Sequence, residues 1–270
     1  MRVGGGGVGA VILVFVVARL FGVDISGLVG GGGDPAAGGG AQTAPGGAPT
    51  QPAPPSGPDP EAEQVDFIRF VMKDIQDTFN GLFQKAGAPY RRAKLLVFRD
   101  VIDTRCGRSS SAIGPFYCPA DQQAYIDLSF FRDLAQRFKA PGQFAQAYVL
   151  AHEIGHHVQN LEGVEKKVRK FGRGEGESSG SVRQELQADC YAGVWGHSAK
   201  ERALLEIGDV DAALAAATAI GDDRLQKQSG REVNPETFTH GTSEQRVRWF
   251  RRGFETGRLE ACDTFSVQEL

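Results

Sequence analysis

The most informative segment of the chain, at residues 143–160, reads QFAQAYVLAHEIGHHVQN. Apolar side chains fill it from Phe144 to Val158 without a proline, so it predicts a largely buried helix. His152 and His156 lie one helical turn apart, so both imidazoles project from the same face and can bind one metal ion. Buried histidines need polar partners, and a metal ion supplies one. We therefore expect a metal-binding helix in the core.

Glu153 adds a chemical role to this helix. Its side chain is rotated by about 100° from that of His152, which places the carboxylate beside an open position on the metal. There it can take a proton from a metal-bound water and act as a general base. Zinc suits imidazole ligands and keeps a water when three protein groups bind it. The alternative is a helix whose polar face happens to carry two histidines.

A third ligand must come from another segment, and RQELQADC at 183–190 is the best candidate. Glu185 and Asp189 are four residues apart on a predicted helix over 182–197, so their carboxylates share one face. We expect Glu185 to bind the zinc ion. Asp189 then accepts the remaining N–H of a ligand histidine and fixes its tautomer. The alternative is a solvated helix face.

The remaining sequence of residues 61–270 predicts an α+β domain that is rich in helices and has a small sheet. Short β-prone runs occupy 94–98 and 124–128, and the segment between them reads as a loop that carries Cys106 and Cys118. Thr242 and Gln245 have the spacing of a capping box. Further helices are expected over 61–86, 129–138, 209–228 and 242–254.

The composition changes sharply at residue 60. Residues 1–60 hold 17 of the 36 glycines and 8 of the 13 prolines. Residues 3–23 form an apolar run that is broken by Arg19 and just reaches the length of a bilayer-spanning helix. We expect a transmembrane signal anchor at 1–29, a disordered Gly/Pro-rich linker at 30–60 and one domain at 61–270. A cleaved signal peptide and a buried core helix remain alternatives for the apolar run.

Charge and hydrophobic content exclude several classes of protein. A formal net charge of −3 excludes a strongly basic nucleic-acid binder, so no nucleic-acid partner is expected. A hydrophobic content of 41% excludes both a polytopic membrane protein and a fully disordered chain.

The four cysteines help to indicate on which side of the membrane the domain at 61–270 lies. If the body is outside, Cys106–Cys118 is the natural bridge and Cys190–Cys262 is the remaining pair. The alternative is four reduced cysteines in a cytosolic domain. Arg2 favours an amino terminus inside the cell, whereas Arg19 argues for the opposite orientation. The cysteines favour an extracytoplasmic body on a bacterial inner membrane.

Six stretches of the sequence also match one known pattern. They are GPFYCP (114–119), YIDLSFF (125–131), HEIGHHVQ (152–159), ELQADC (185–190), IGDDRLQ (220–226) and FTHGTSEQR (238–246). Together they resemble the bacterial neutral zinc metallopeptidases, over roughly residues 61–265. The resemblance implies a zincin-type fold with His152, His156 and Glu185 on one Zn²⁺ ion and Glu153 as the general base. It also implies that 125–128 forms the edge strand that binds a peptide substrate.

We therefore expect a membrane-anchored zinc endopeptidase that acts on a peptide or protein. A non-catalytic zinc-containing module that binds an envelope partner is the alternative, and a zinc amidase is a third. His240 is the leading candidate to stabilise the oxyanion, although it can also be a structural histidine near a helix cap. Tyr191 and Arg246 are weaker candidates. His157 and His197 are expected to be structural residues, with His197 at a helix end.

Overall fold

The computed structural model describes residues 61–110, 114–172 and 174–270. The predicted membrane segment (1–29) and linker (30–60) lie outside these ranges. Among the described residues, no helix combines the length and the apolar character that are needed to cross a bilayer.

The described chain is a helix-rich α+β domain, as predicted. The long helices begin and end close to their expected positions, because each has a continuous apolar stripe between clear breaking residues. The helices are α1 (Ala62–Lys85), α2 (Ser129–Gln136), α3 (Gln143–Glu162), α4 (Glu165–Phe171), α5 (Gly180–Glu201), α6 (Asp209–Ala219), α7 (Asp222–Gln228) and α8 (Ser243–Thr256), with 3₁₀ turns at Pro235–Thr237 and Leu259–Cys262.

Within the described ranges, five short strands form two small sheets. The strands are β1 (Lys94–Phe98), β2 (Val101–Thr104), β3 (Gly107–Ser110), β4 (Phe116–Cys118) and β5 (Gln123–Asp127). One sheet has the order β1-β5-β4, in which β5 runs parallel to β1 and antiparallel to β4. The other is the antiparallel hairpin β2–β3.

The hairpin and β4 occupy the segment that the sequence predicted to be a loop. The Cys106–Cys118 disulfide joins the turn of the hairpin to the end of β4. The Cys190–Cys262 disulfide joins α5 to the 3₁₀ turn after α8. Both pairs are those expected from the sequence. The strands escaped prediction because the second of them, GRSS, has no apolar alternation and is defined by its pairing with VIDT.

The expectation that 125–128 is an edge strand is wrong. Strand β5 lies in the middle of its sheet, with β1 on one side and β4 on the other. Strand β1 pairs with β5 along its whole length and β4 pairs with Gln123–Tyr125, so those backbone groups cannot pair with an added peptide strand. The outer strands of this sheet are β1 and β4.

The predicted helix over 209–228 is also divided in two. Gly221 has extended backbone dihedrals and separates α6 from α7. A Cβ atom at Gly221 would lie 2.5 Å from the backbone nitrogen of Ser243, so the start of α8 packs directly on this backbone. The capping box at Thr242 and Gln245 is present as predicted.

Helix α3 is the centre of the core, and it packs against α1, α5 and α6. Helix α5 in turn packs closely on α8 through two glycines. A Cβ atom at Gly253 would lie 1.9 Å from the carbonyl oxygen of Cys190, and one at Gly193 would lie 2.1 Å from that of Phe250. The two backbones are in direct contact there, which only glycine permits.

We predict that Gly253→Ala strongly destabilises the domain. The added methyl group must separate two backbones, which costs roughly 3 kcal/mol or more, at the upper end of overpacking. The matched control is Gly81→Ala, also inside a helix, where a Cβ would meet no heavy atom within 4 Å. That variant should be stabilised by about 0.5–1 kcal/mol, because alanine favours the helix over glycine. Chemical denaturation measures both changes, and similar values for the two variants would contradict the close contact.

Candidate metal centre

Three side chains from two helices meet at one point. His152 and His156 come from α3 and Glu185 comes from α5, and their potential ligand atoms all lie within 4.8 Å of one another. The two Nε2 atoms are 3.2 Å apart. Glu185 Oε2 is 3.2 Å from His152 Nε2, and Oε1 is 3.5 Å from His156 Nε2. Within the described ranges, no other group of three such side chains converges in this way.

Gly155 allows the two helices to approach at this point. A Cβ atom at Gly155 would lie 3.0 Å from both the Cα and the carbonyl oxygen of Ala188. Because Ala188 stands between Glu185 and Asp189 on α5, the absence of a side chain at 155 sets how near both carboxylates come to α3. An alanine at 155 would displace α5 by a few tenths of an ångström.

Asp189 fixes the orientation of the first imidazole. Its Oδ1 accepts a hydrogen bond from His152 Nδ1 at 2.8 Å and another from the Tyr148 hydroxyl at 2.5 Å. The Arg246 guanidinium donates to both carboxylate oxygens, at 2.8 and 2.9 Å. Burial opposes ionisation of Asp189, but the Arg246 and His152 charges hold its pKa below the usual range. His152 therefore carries its proton on Nδ1 and turns the lone pair of Nε2 toward the cluster.

Gln159 fixes the orientation of the His156 imidazole. His156 Nδ1 lies 2.9 Å from Gln159 Oε1. An amide oxygen only accepts hydrogen bonds, so Nδ1 of His156 must be the protonated nitrogen. Its Nε2 is then the nitrogen whose lone pair is available to a metal ion, and it faces Nε2 of His152. The two imidazoles thus present two lone pairs to one point.

This arrangement fits a tetrahedral zinc ion. Zn–N and Zn–O bonds of 2.0–2.2 Å place ligand atoms about 3.4 Å apart, and the three distances above agree with that value. Two lone pairs and a carboxylate in contact also require a positive charge between them. Burial disfavours the charged imidazole, yet Asp189 and Glu185 raise the pKa of His152 to about 10, so without a metal ion a proton on Nε2 takes the position that a cation would occupy. The donors therefore favour a cation.

Glu153 lies beside the cluster and makes no hydrogen bond with the described residues. Burial raises the pKa of its carboxyl group, while the neighbouring imidazoles of His156 and His152 oppose the change. A buried carboxylate without a hydrogen-bond donor is a stronger base than one in water. It is placed to accept a proton from a water molecule held by the cluster.

His240 lies outside the ligand cluster but within the electrostatic field of Glu185. Its Nδ1 is 3.0 Å from Oδ1 of Asp222, the first residue of α7. Oδ2 of Asp222 accepts from the backbone N–H groups of Thr239, His240 and Gly241 at 2.7, 2.6 and 3.1 Å. Burial lowers the pKa of His240, but Asp222 outweighs this and raises it. The imidazole therefore has a fixed orientation, and its Nε2 makes no hydrogen bond with the described residues.

The remaining candidates have structural roles. Arg246 is bound to Asp189, and the Tyr191 hydroxyl donates to Glu162 at 2.6 Å, so neither is free to bind an oxyanion. His157 accepts from the Tyr117 hydroxyl at 2.9 Å and donates to the Arg91 carbonyl. His197 lies within α5, which continues to Glu201, and its Nδ1 is 2.7 Å from the Phe254 carbonyl oxygen.

Sequence reasoning missed three contributors to the site. Tyr148, Gln159 and Asp222 each hold a chemically important neighbour, and Arg246 acts through Asp189 rather than on substrate. Gln159 was detectable in principle, because it stands one turn after His156 on the same helix. Asp222 was not, since its partner His240 is 18 residues away.

Comparison with known proteins agrees with this site. One family matches residues 1–265, and its description reads "Putative neutral zinc metallopeptidase". "Uncharacterized protein YpfJ" of Escherichia coli (strain K12) is 46% identical over 257 residues, which cover 94% of this chain and 85% of the relative. "Uncharacterized protein Rv2575" of Mycobacterium tuberculosis (strain ATCC 25618 / H37Rv) is 43% identical over 219 residues, or 76% and 74% of the two chains. No solved structure matches. The chain belongs to this neutral zinc metallopeptidase family.

Proposed function

We propose that the protein is a zinc peptidase that hydrolyses peptide bonds. The proposal is supported by the pair of imidazoles whose Nδ1 atoms are engaged by Asp189 and Gln159, so that both Nε2 atoms face one point together with the Glu185 carboxylate. His152, His156 and Glu185 would hold the ion. A bound zinc ion makes its water more acidic and polarises a carbonyl group.

Two residues of the protein would carry out the remaining steps, which are proton transfer and stabilisation of the oxyanion. Glu153 takes the proton from the attacking water and later delivers it to the leaving amine. Its carboxylate is suited to this because no protein donor occupies it among the described residues. His240, protonated and held by Asp222, donates from Nε2 to the oxygen that becomes negative in the transition state.

A substrate strand would add to β4 rather than to the central β5. Strand β4 is an outer strand, and it lies against the metal-binding helix through Tyr117, whose hydroxyl contacts His157 and Asn160. An extended peptide would pair there with the outer edge of β4. If residues 1–29 anchor the chain and 30–60 act as a linker, the peptidase would work near the outer face of a bacterial membrane.

The first prediction concerns the third ligand. Wild-type protein should bind one zinc ion, and Glu185→Ala should weaken binding by at least 100-fold, because it removes the anionic ligand. Glu201→Ala, an exposed glutamate on the same helix, is the matched control and should bind like wild type. Metal analysis after dialysis against a graded chelator measures both. Unchanged stoichiometry in Glu185→Ala would refute its role as a ligand.

The second prediction separates an enzyme from a non-catalytic module. Glu153→Gln should retain zinc but lose about 10²- to 10⁴-fold in kcat on a mixed protein substrate, since the amide cannot accept the proton. The wild-type activity should disappear with a chelator and return with zinc. Zinc-loaded wild type that cleaves neither protein nor peptide would support the binding module. Cleavage of small amides alone would support an amidase.

The third prediction uses the pH dependence of kcat. His240 donates only when protonated, and Asp222 raises its pKa above 6.5, so kcat should fall as the pH rises through that raised value. Asp222→Asn should move this alkaline limb to lower pH without loss of zinc. His240→Ala should lower kcat about 10²- to 10³-fold and leave zinc bound. The control His197→Ala should keep the wild-type profile, and an unmoved limb in Asp222→Asn would contradict the pairing.

A further inference from the structure

Two buried glutamine side chains connect the second histidine to the far side of α5. Gln159 on α3 is 1% exposed and Gln187 on α5 is 3% exposed. Gln159 Oε1 is 2.9 Å from His156 Nδ1, and its Nε2 donates to Oε1 of Gln187 at 3.1 Å. Gln187 Nε2 then donates to the carbonyl oxygen of Cys262 at 3.0 Å. The result is a continuous chain of hydrogen bonds from the imidazole to the C-terminal segment.

Backbone carbonyl groups determine the orientation of both glutamine amides. Gln159 Nε2 also donates to the Gln184 carbonyl at 2.7 Å, and a carbonyl can only accept. The nitrogen of the Gln159 amide must therefore face α5, and its oxygen must face His156. The Cys262 carbonyl orients Gln187 in the same way. A reversed amide at either position would place an N–H group against a donor or an oxygen against a carbonyl oxygen.

The segment that carries the Cys262 carbonyl, the last acceptor in this series of hydrogen bonds, is itself held rigidly. Cys262 is bonded to Cys190 on α5. The following residues are tied to α5 at Arg183, whose guanidinium donates to the carbonyls of Thr264 and Val267, the latter at 2.9 Å. The Thr264 hydroxyl returns a hydrogen bond to the Arg183 carbonyl at 2.7 Å. The Cys262 carbonyl is thus a fixed acceptor.

We propose that Gln159 is a positioning residue for the metal ligand His156, and that Gln187 and the C-terminal segment hold Gln159 in place. The neutral side-chain amides hold His156 in the Nδ1–H tautomer without adding charge. The charged pair of Asp189 and Arg246 holds His152 in the same tautomer. This inference rests on the proposed zinc site and assigns an outer partner to its second histidine. Such partners typically change metal affinity 10- to 100-fold when removed.

The test uses the full chain in detergent with three methionine variants of similar size. Gln159→Met should raise the zinc Kd by about 10- to 100-fold in competition with a chromophoric chelator. Gln187→Met should raise it by a smaller factor, because the bond between His156 and Gln159 survives. Gln184→Met is the matched control and should leave the Kd unchanged, since Gln184 contributes its backbone carbonyl to the chain.

A second readout separates positioning from a general loss of stability. The zinc-loaded wild type should show a downfield proton resonance from the hydrogen-bonded Nδ1–H of His156, and Gln159→Met should lose it. A lower Tm of the metal-free protein with an unchanged zinc Kd would overturn the proposal. If Gln159→Met does not fold, Gln187→Met decides: a raised Kd supports the proposal and an unchanged one overturns it. Failure of the wild type to bind zinc would refute the proposed function instead.

Discussion

The structure depends on one buried carboxylate. Asp189 has no exposed surface, and it joins three helices: its own helix α5, helix α3 through His152 and Tyr148, and helix α8 through Arg246. Removal of one partner from such a buried ion pair typically costs about 3–5 kcal/mol, because the other charge is left uncompensated. The same interaction that holds the helices together also orients His152, a member of the proposed metal site. The contacts that stabilise the fold therefore also orient the site.

Glycine makes this arrangement geometrically possible. Gly155 lets α5 rest on α3 beside the two histidines, and Gly193 and Gly253 let α8 rest on α5 with the backbones in contact. A side chain at Gly155 would displace α5 by a few tenths of an ångström, and one at Gly193 or Gly253 would force the backbones of α5 and α8 further apart. The Cys190–Cys262 disulfide adds a covalent link between α5 and the C-terminal segment, next to the stretch that carries Glu185 and Asp189. A metal site needs such rigidity because its ligand atoms must be placed within fractions of an ångström.

Local sequence patterns predicted most of the helices and part of the site. The periodicity of α3 and α5 and the capping box of α8 are properties of short segments, so they can be recognised without the fold. The pairing of His152 with His156 is equally local. The hairpin β2–β3, the central position of β5 and the break at Gly221 could not be predicted in this way. Each depends on a partner strand or helix that is distant in the sequence.

The reactive groups can be identified from the sequence alone: two histidines one turn apart with a glutamate between them, and a second helix with two carboxylates on one face. The periodicity of the α-helix is sufficient for that result. The way in which those groups are held depends instead on contacts that form in the folded domain. Arg246 neutralises Asp189, Asp222 orients His240, and Gln159 sets the tautomer of His156. The first two contacts join residues that are far apart in the chain, and the third depends on the Gln184 carbonyl of another helix. They exist because burial leaves no water to satisfy these polar groups, so each must find a partner in the fold.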